Sequence, residues 1–242
     1  KQDYDKWLKL SYRWIIFSSL TLGIGIFMGG YWAYKVLGWG GYWGWDPVEN
    51  SSLIPWLASV MLIHGIILQK RKSLLKRSNL LMALVYFILV LYSTFLTRSG
   101  VLSDFSVHSF GKSNTSIFLI SYILFFIIIS VFLFAKRFRD IKSEKLTDKF
   151  FTMESITVFG IIILGLYNFL IFTGTSFPII SGIFLQNPTA VTENFYNNLS
   201  VPFGILILLF IILASFTIHR YSKITAIIAA ILAAITGIAF NI

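Results

Sequence analysis

The 242-residue chain contains no cysteine, which excludes disulfides, thiolate metal sites and a thiol nucleophile. Charge is scarce too. Asp, Glu, Lys and Arg supply 12% of the residues against 57% hydrophobic ones, where a globular domain carries about 25% charged residues. A water-soluble fold of this length must cover its surface with polar groups, so water is excluded as the main solvent. The alternating apolar and polar pattern of barrel strands is missing, which leaves helices as the only way to cross a bilayer. The start at Lys1, without a methionine or a signal-peptide pattern, and the end at Ile242, without a polar tail, read as a fragment or processed product.

What is present is a series of apolar runs of membrane-spanning length, at 12–34, 52–68, 79–96, 116–135, 153–172, 201–218 and 224–240. They predict an all-α, polytopic helical membrane protein of about seven transmembrane helices, forming one membrane domain over 1–242. Of the 20 Lys and Arg residues, all but Lys35, Arg98 and Lys112 precede or open the first span or fill the second, fourth and sixth breaks. This segregation places the N-terminus in the cytoplasm. It also explains the net charge of +10 as a topology signal, with the lipid bilayer and not nucleic acid as partner. Three segments then face the far side: 37–51, within a tryptophan-rich stretch of 37–57, then 98–114 and 173–200.

All seven tryptophans occur at or before Trp56. Trp7 and Trp14 suit an interfacial belt. Trp32, Trp39, Trp43, Trp45 and Trp56 instead cluster around one loop, interleaved with Gly38, Gly40, Gly41 and Gly44. Glycines let the backbone approach closely, and indole or phenol faces offer stacking area at low entropic cost, so the combination suits a planar, mostly apolar ligand. Asp46 and Glu49 have a local reading as helix-start residues, with Pro47 in the first turn.

The string WGGYWGWDPVENSSLIPWL at 39–57 resembles the tryptophan-rich WWD segment of the CcmF family of cytochrome c maturation proteins. LIHG at 62–65, FLTRSGVLSDFSVHSFG at 95–111 and SYRW at 11–14 agree in order and spacing. The resemblance covers about residues 11–112, and is weaker beyond, where it rests on span order and the MES at Met153. Tyr42 stands where the family usually has tryptophan, and keeps an aromatic face.

This resemblance implies a heme-handling subunit of the cytochrome c heme lyase, which presents heme for covalent attachment to the CXXCH motif of apocytochrome c. The implied cofactor is heme b, and the implied partners are heme, apocytochrome c, the CcmE heme chaperone and CcmH/CcmI-type subunits. The implied place is the bacterial inner membrane with the WWD loop periplasmic, the mitochondrial inner membrane being the alternative. Trp39, Tyr42, Trp43, Trp45, Asp46 and Trp56 become heme-binding candidates in the WWD loop. No catalytic residue is assigned.

Of three histidines, His64 lies about 12 residues into its span, about 18 Å along the helix axis. An ionisable group at that depth faces the bundle interior and marks a functional site, with a hydrogen-bonded structural histidine as the alternative. The resemblance matches it to one of two ligands of a transmembrane heme b. His108, otherwise an ordinary loop histidine, matches one of two periplasmic ligands of the heme being handled. His219 reads as interfacial. Arg98 is a candidate partner for a heme propionate, or snorkels to lipid headgroups. The family's other periplasmic and transmembrane histidines have no match here, so the chain alone completes neither pair. A heme delivery protein without lyase chemistry, similar to CcmC, is the competing reading, and a purely interfacial tryptophan belt a third.

Overall fold

The computed structural model describes residues 4–37, 41–106, 108–111, 115–147, 149, 151–219, 228, 231 and 232. Six helices carry the fold: α1 (Tyr4–Trp32), which continues as a π-helical turn over Ala33–Leu37, α2 (Pro47–Lys72), α3 (Lys76–Arg98), α4 (Ser116–Arg137), α5 (Met153–Phe184) and α6 (Glu193–His219). Each is long and apolar enough to cross a membrane, and no strand occurs among the described residues. The protein is a multi-pass, all-helical membrane protein. The expected seventh span at 224–240 lies outside the described residues except for 228, 231 and 232, which are helical.

α2 is the centre of the bundle. It packs against α1, α3 and α5, while among the described residues the backbone of α4 approaches α3 alone and that of α6 approaches α5 alone. Accordingly 56% of the apolar window of α2 is buried inside the protein, against none for α4 or α6. Their apolar side chains suit lipid, which is as good a solvent for Phe and Ile as another helix. Polar side chains join the central helices. Asn79 of α3, fully buried, donates to Gly65 O at 2.9 Å and Gln69 Oε1 at 2.8 Å on α2. A Cβ at Gly65 would overlap Asn79 Oδ1, so only glycine permits this approach.

Neighbouring helices run antiparallel, which sorts the chain ends. The basic end holds the tight α2–α3 turn, with Ser73 and Leu75 both left-handed at φ 55° and 58°. The segment after α4 lies across this turn: Arg77 Nε donates to Ile141 O at 2.7 Å, and the Lys76 N–H to Ser143 Oγ at 2.9 Å. The opposite end gathers the tryptophan loop, the α3–α4 connection and the α5–α6 connection.

Helix boundaries differ from the sequence expectation at this end. α2 begins at Pro47, five residues before the apolar run at Ser52, because Asp46 and Glu49 form a capping box. The segment 173–200 is mostly helical, and only 185–192 connects α5 to α6. Its small and polar residues look like a loop in sequence, yet Gly174, Thr175, Ser176 and Ser181 are buried. They are accommodated between helices: Tyr92 Oη and Ser176 Oγ lie 2.7 Å apart, and Ser181 Oγ accepts from the Thr189 N–H at 3.0 Å.

Candidate functional site

At the loop end everything converges on Asp46. As N-cap of α2, its Oδ1 accepts the Val48 N–H at 2.8 Å. The same oxygen accepts Ser106 Oγ–H at 2.7 Å and lies 3.4 Å from His108 Nδ1, an ion-pair distance longer than a good hydrogen bond. Ser106 Oγ in turn accepts the His108 N–H at 3.1 Å. Glu49 closes the loop from the other side, accepting the backbone N–H groups of Gly44 at 3.0 Å and Asp46 at 3.2 Å. Two carboxylates thus fold the loop onto the start of α2, and one of them reaches the second loop's histidine.

His108, Trp43 and Glu49 line a cavity of about 390 Å³ whose other wall is α1, including Gly25, Gly29, Gly30 and Trp32. The Trp43 Nε1–H is buried with no hydrogen-bond partner among the described residues. A buried indole donor normally finds an acceptor. The wall therefore offers one aromatic face and one imidazole to a ligand, beside an α1 surface where Gly25, Gly29 and Gly30 alternate with Leu22, Ile26 and Trp32.

The remaining loop aromatics point elsewhere. Trp45, left-handed at φ 55°, stacks on Tyr196 of α6 with centroids 5.1 Å apart and planes at 10°. Its Nε1–H donates to Asn197 Oδ1 at 2.8 Å, and its carbonyl accepts Asn50 Nδ2–H at 3.0 Å. A bulky residue in the left-handed region is costly and persists only where its surroundings enforce it, as this double anchorage does. Tyr42 stacks on Tyr34 at 4.3 Å. The Arg98 guanidinium lies over the Phe110 ring at 4.2 Å, and Arg98 lines neither of the two histidine-bearing cavities. Trp39 lies outside the described residues.

A second cavity, about 410 Å³, opens between α2, α5 and α6. Trp56, Val60 and His64 of α2 form one wall, and Met153, Gly160, Ile161, Ile207 and Phe210 are among the residues facing them. His64 Nδ1 is 2.8 Å from Val60 O, one turn back on its own helix. A carbonyl can only accept, so Nδ1 carries the proton and Nε2 is left as the lone-pair nitrogen. Because α2 starts at Pro47, His64 lies 17 residues in, about 25 Å along the axis. Trp56 belongs to this cavity and not to the loop. It makes an edge-to-face contact with Phe27 at 6.1 Å, and Gly23 leaves room for it.

The structure thus brings Trp43, Asp46 and His108 together, and separately Trp56 and His64. It does not bring Tyr42, Trp45 or Arg98 to either cavity. His219 ends α6, with its side chain outside the described residues. Ser106 and Tyr196 had no sequence signal. The pairing of Trp56 with His64 did, since positions 56, 60 and 64 share one helix face at i, i+4 spacing. Among the described residues no group of three or more His, Cys, Asp or Glu could hold a bare metal ion.

Comparison with known proteins gives the family. Residues 1–102 match the family described as Cytochrome C assembly protein. The chain is 36% identical over 206 residues to the cytochrome c-type biogenesis protein ccl1 of Rhodobacter capsulatus, covering 84% of this chain and 31% of that protein. It is 34% identical over 197 residues to the cytochrome c-type biogenesis protein CcmF of Pseudomonas aeruginosa, covering 81% and 30%. The solved structure of the cytochrome c heme lyase CcmF superposes with a TM-score of 0.66 at 25% identity, over 87% of this chain and 30% of that one. The chain spans about a third of the length of the curated relatives it matches. The chain belongs to the CcmF family of cytochrome c-type biogenesis proteins.

Proposed function

We propose that this chain is the heme-handling portion of a cytochrome c heme lyase, in which the loop end presents heme as substrate for attachment to the CXXCH motif of apocytochrome c. The observation that carries the reading is the cavity at the loop end, where His108 and Trp43 share one wall and Asp46 holds the histidine. The His108 imidazole would ligate heme iron, the Trp43 indole would offer a stacking face, and the glycines of the α1 wall would let a flat ring approach the backbone. The chain has no cysteine, so the thiols that add across the heme vinyl groups belong to the apocytochrome. The protein contributes positioning and iron electronics.

The embedded cavity fits a resident heme b. Its lining is apolar apart from His64, Thr157 and the Trp56 indole N–H, and the histidine tautomer is already fixed for ligation through Nε2. When bound there, the group would supply a redox-active iron inside the membrane. His64 would hold it, Trp56 and Phe210 would flank it, and the aliphatic side chains of α5 and α6 would keep water away.

In this reading the N-terminus is cytoplasmic, the loop end periplasmic, and the membrane the bacterial inner membrane. Heme would arrive from the CcmE chaperone, and CcmH/CcmI-type subunits would bring the apocytochrome. The test is cytochrome c assembly by the full-length protein in a strain lacking its own copy, alongside the heme spectrum of the purified protein. His108→Ala is expected to abolish assembly while keeping the b-type spectrum of the embedded site. Full assembly by His108→Ala would overturn the reading, and heme release to a soluble acceptor without thioether formation by wild type would favour delivery alone.

A further inference from the structure

Asp46 has three partners on one oxygen, and two of them do not belong to the helix it caps. The Val48 N–H at 2.8 Å is the capping bond, whereas Ser106 Oγ at 2.7 Å and His108 Nδ1 at 3.4 Å come from the other loop. A cap alone needs neither. Ser106 also receives the His108 backbone N–H at 3.1 Å, so the serine grips both the carboxylate and the main chain of the histidine. The three side chains are closed off from solvent to different degrees: Ser106 is 8% exposed, while the side chains of His108 and Asp46 are 30% and 17% exposed.

We infer that Asp46 and Ser106 are positioning residues for His108, fixing its ring so that Nδ1 carries the proton toward the carboxylate and Nε2 is the nitrogen that ligates heme iron. The inference rests on the ligand role proposed above for His108. A carboxylate can only accept, so its position beside Nδ1 selects the Nδ1–H tautomer. Carboxylate-supported histidines are stiffer and more basic ligands, and losing the support lowers metal affinity by about 10- to 100-fold. Asp46 then acts on the ligand through His108, without touching it. Ser106 spends one hydroxyl on keeping the carboxylate turned toward the ring and on holding the histidine's main chain.

Capping and positioning are separable by chemistry. Asparagine caps a helix as well as aspartate does, and its Oδ1 can still accept from Val48 and Ser106. Only the negative charge facing His108 is lost. The experiment uses the full-length protein in a His64→Ala background, so that added ferric heme reports on the loop end. The 15N resonances of histidine-labelled, heme-free protein identify the tautomer, with the His108 signal assigned by its loss in His108→Ala.

Wild type is expected to show His108 protonated at Nδ1. Asp46→Asn is expected to show a mixture of tautomers and about 10-fold weaker heme binding. Ser106→Ala, which leaves the cap intact, is expected to move both readings in the same direction by less. A His108 resonance identical to wild type in both variants overturns the inference, whatever the heme titration shows. Wild-type heme affinity in His108→Ala, together with a tautomer change in Asp46→Asn, overturns the ligand role instead and leaves Asp46 orienting a histidine that binds nothing.

Discussion

The two histidine cavities solve one problem with different parts. His64 sits in a spanning helix and steadies its ring on the carbonyl of Val60, a neutral group of its own helix. His108 sits in a loop and steadies its ring on the carboxylate of Asp46, a charged group from another loop. The dielectric explains the split. A carboxylate at the depth of His64 is expensive, whereas one at the end of the bundle keeps part of its solvation and gains the backbone N–H groups of a helix start. The embedded anchor survives any side-chain change at residue 60. The loop anchor is tunable, because its strength depends on the identity of residue 46 and on the two loops staying docked.

That contrast can be broken most severely at His64. His64→Ala is expected to remove the resident b-type heme signal entirely, read as the reduced-minus-oxidised spectrum of purified protein, while ferric heme still binds at the loop end. Simultaneous loss of both would mean that the cavities are not independent. Gly65→Ala strains the embedded side alone, since the added Cβ meets Asn79. Overpacking of this kind costs about 1–3 kcal/mol, which a lowered thermal midpoint in detergent would report, with loop-end heme affinity unchanged.

Trp45→Phe keeps a ring on Tyr196 but deletes the bond from Nε1 to Asn197. About 1 kcal/mol of stability should go with it, and heme affinity at His108 should fall by a smaller factor than in Asp46→Asn, because Trp45 lies outside the cavity. The smallest effect is expected for Arg98→Ala. Its contact with Phe110 is worth about 0.5–1 kcal/mol, and neither cavity should change its heme spectrum. A spectral shift sensitive to propionate esterification would restore Arg98 as a propionate partner.

Much of this architecture was legible in the residues. Apolar runs and segregated Lys and Arg mark the spans, because both follow from the cost of moving charge through lipid. The Asp46-Pro47-Val48-Glu49 start of α2 is readable as local capping chemistry, and the structure shows that cap. What escaped depends on contacts between distant segments. Nothing local in Ser106 distinguishes it from its neighbours Ser103 and Ser109; its role comes from docking on Asp46. Trp45 looks like Trp43 in sequence, yet the left-handed backbone at residue 45 turns it toward Tyr196 and away from the cavity. Thr175 and Ser176 read as loop because their polarity is visible and their burial between α2, α3 and α6 is not.

Asp46 and His64 belong to one continuous helical element, with the cap at one end and the embedded imidazole 18 residues on. α2 is therefore a gauge bar between two stations, fixing them about 27 Å apart along its axis and setting the sides on which they face. A substitution changes what stands at a station. One residue inserted between them would change the bar itself, advancing the far station by about 1.5 Å and swinging it about 100° around the helix, away from the cavity between α5 and α6. The spacing between the tryptophan loop and His64 is thus a mechanical dimension of the protein, and the chain can vary its composition there far more freely than its length.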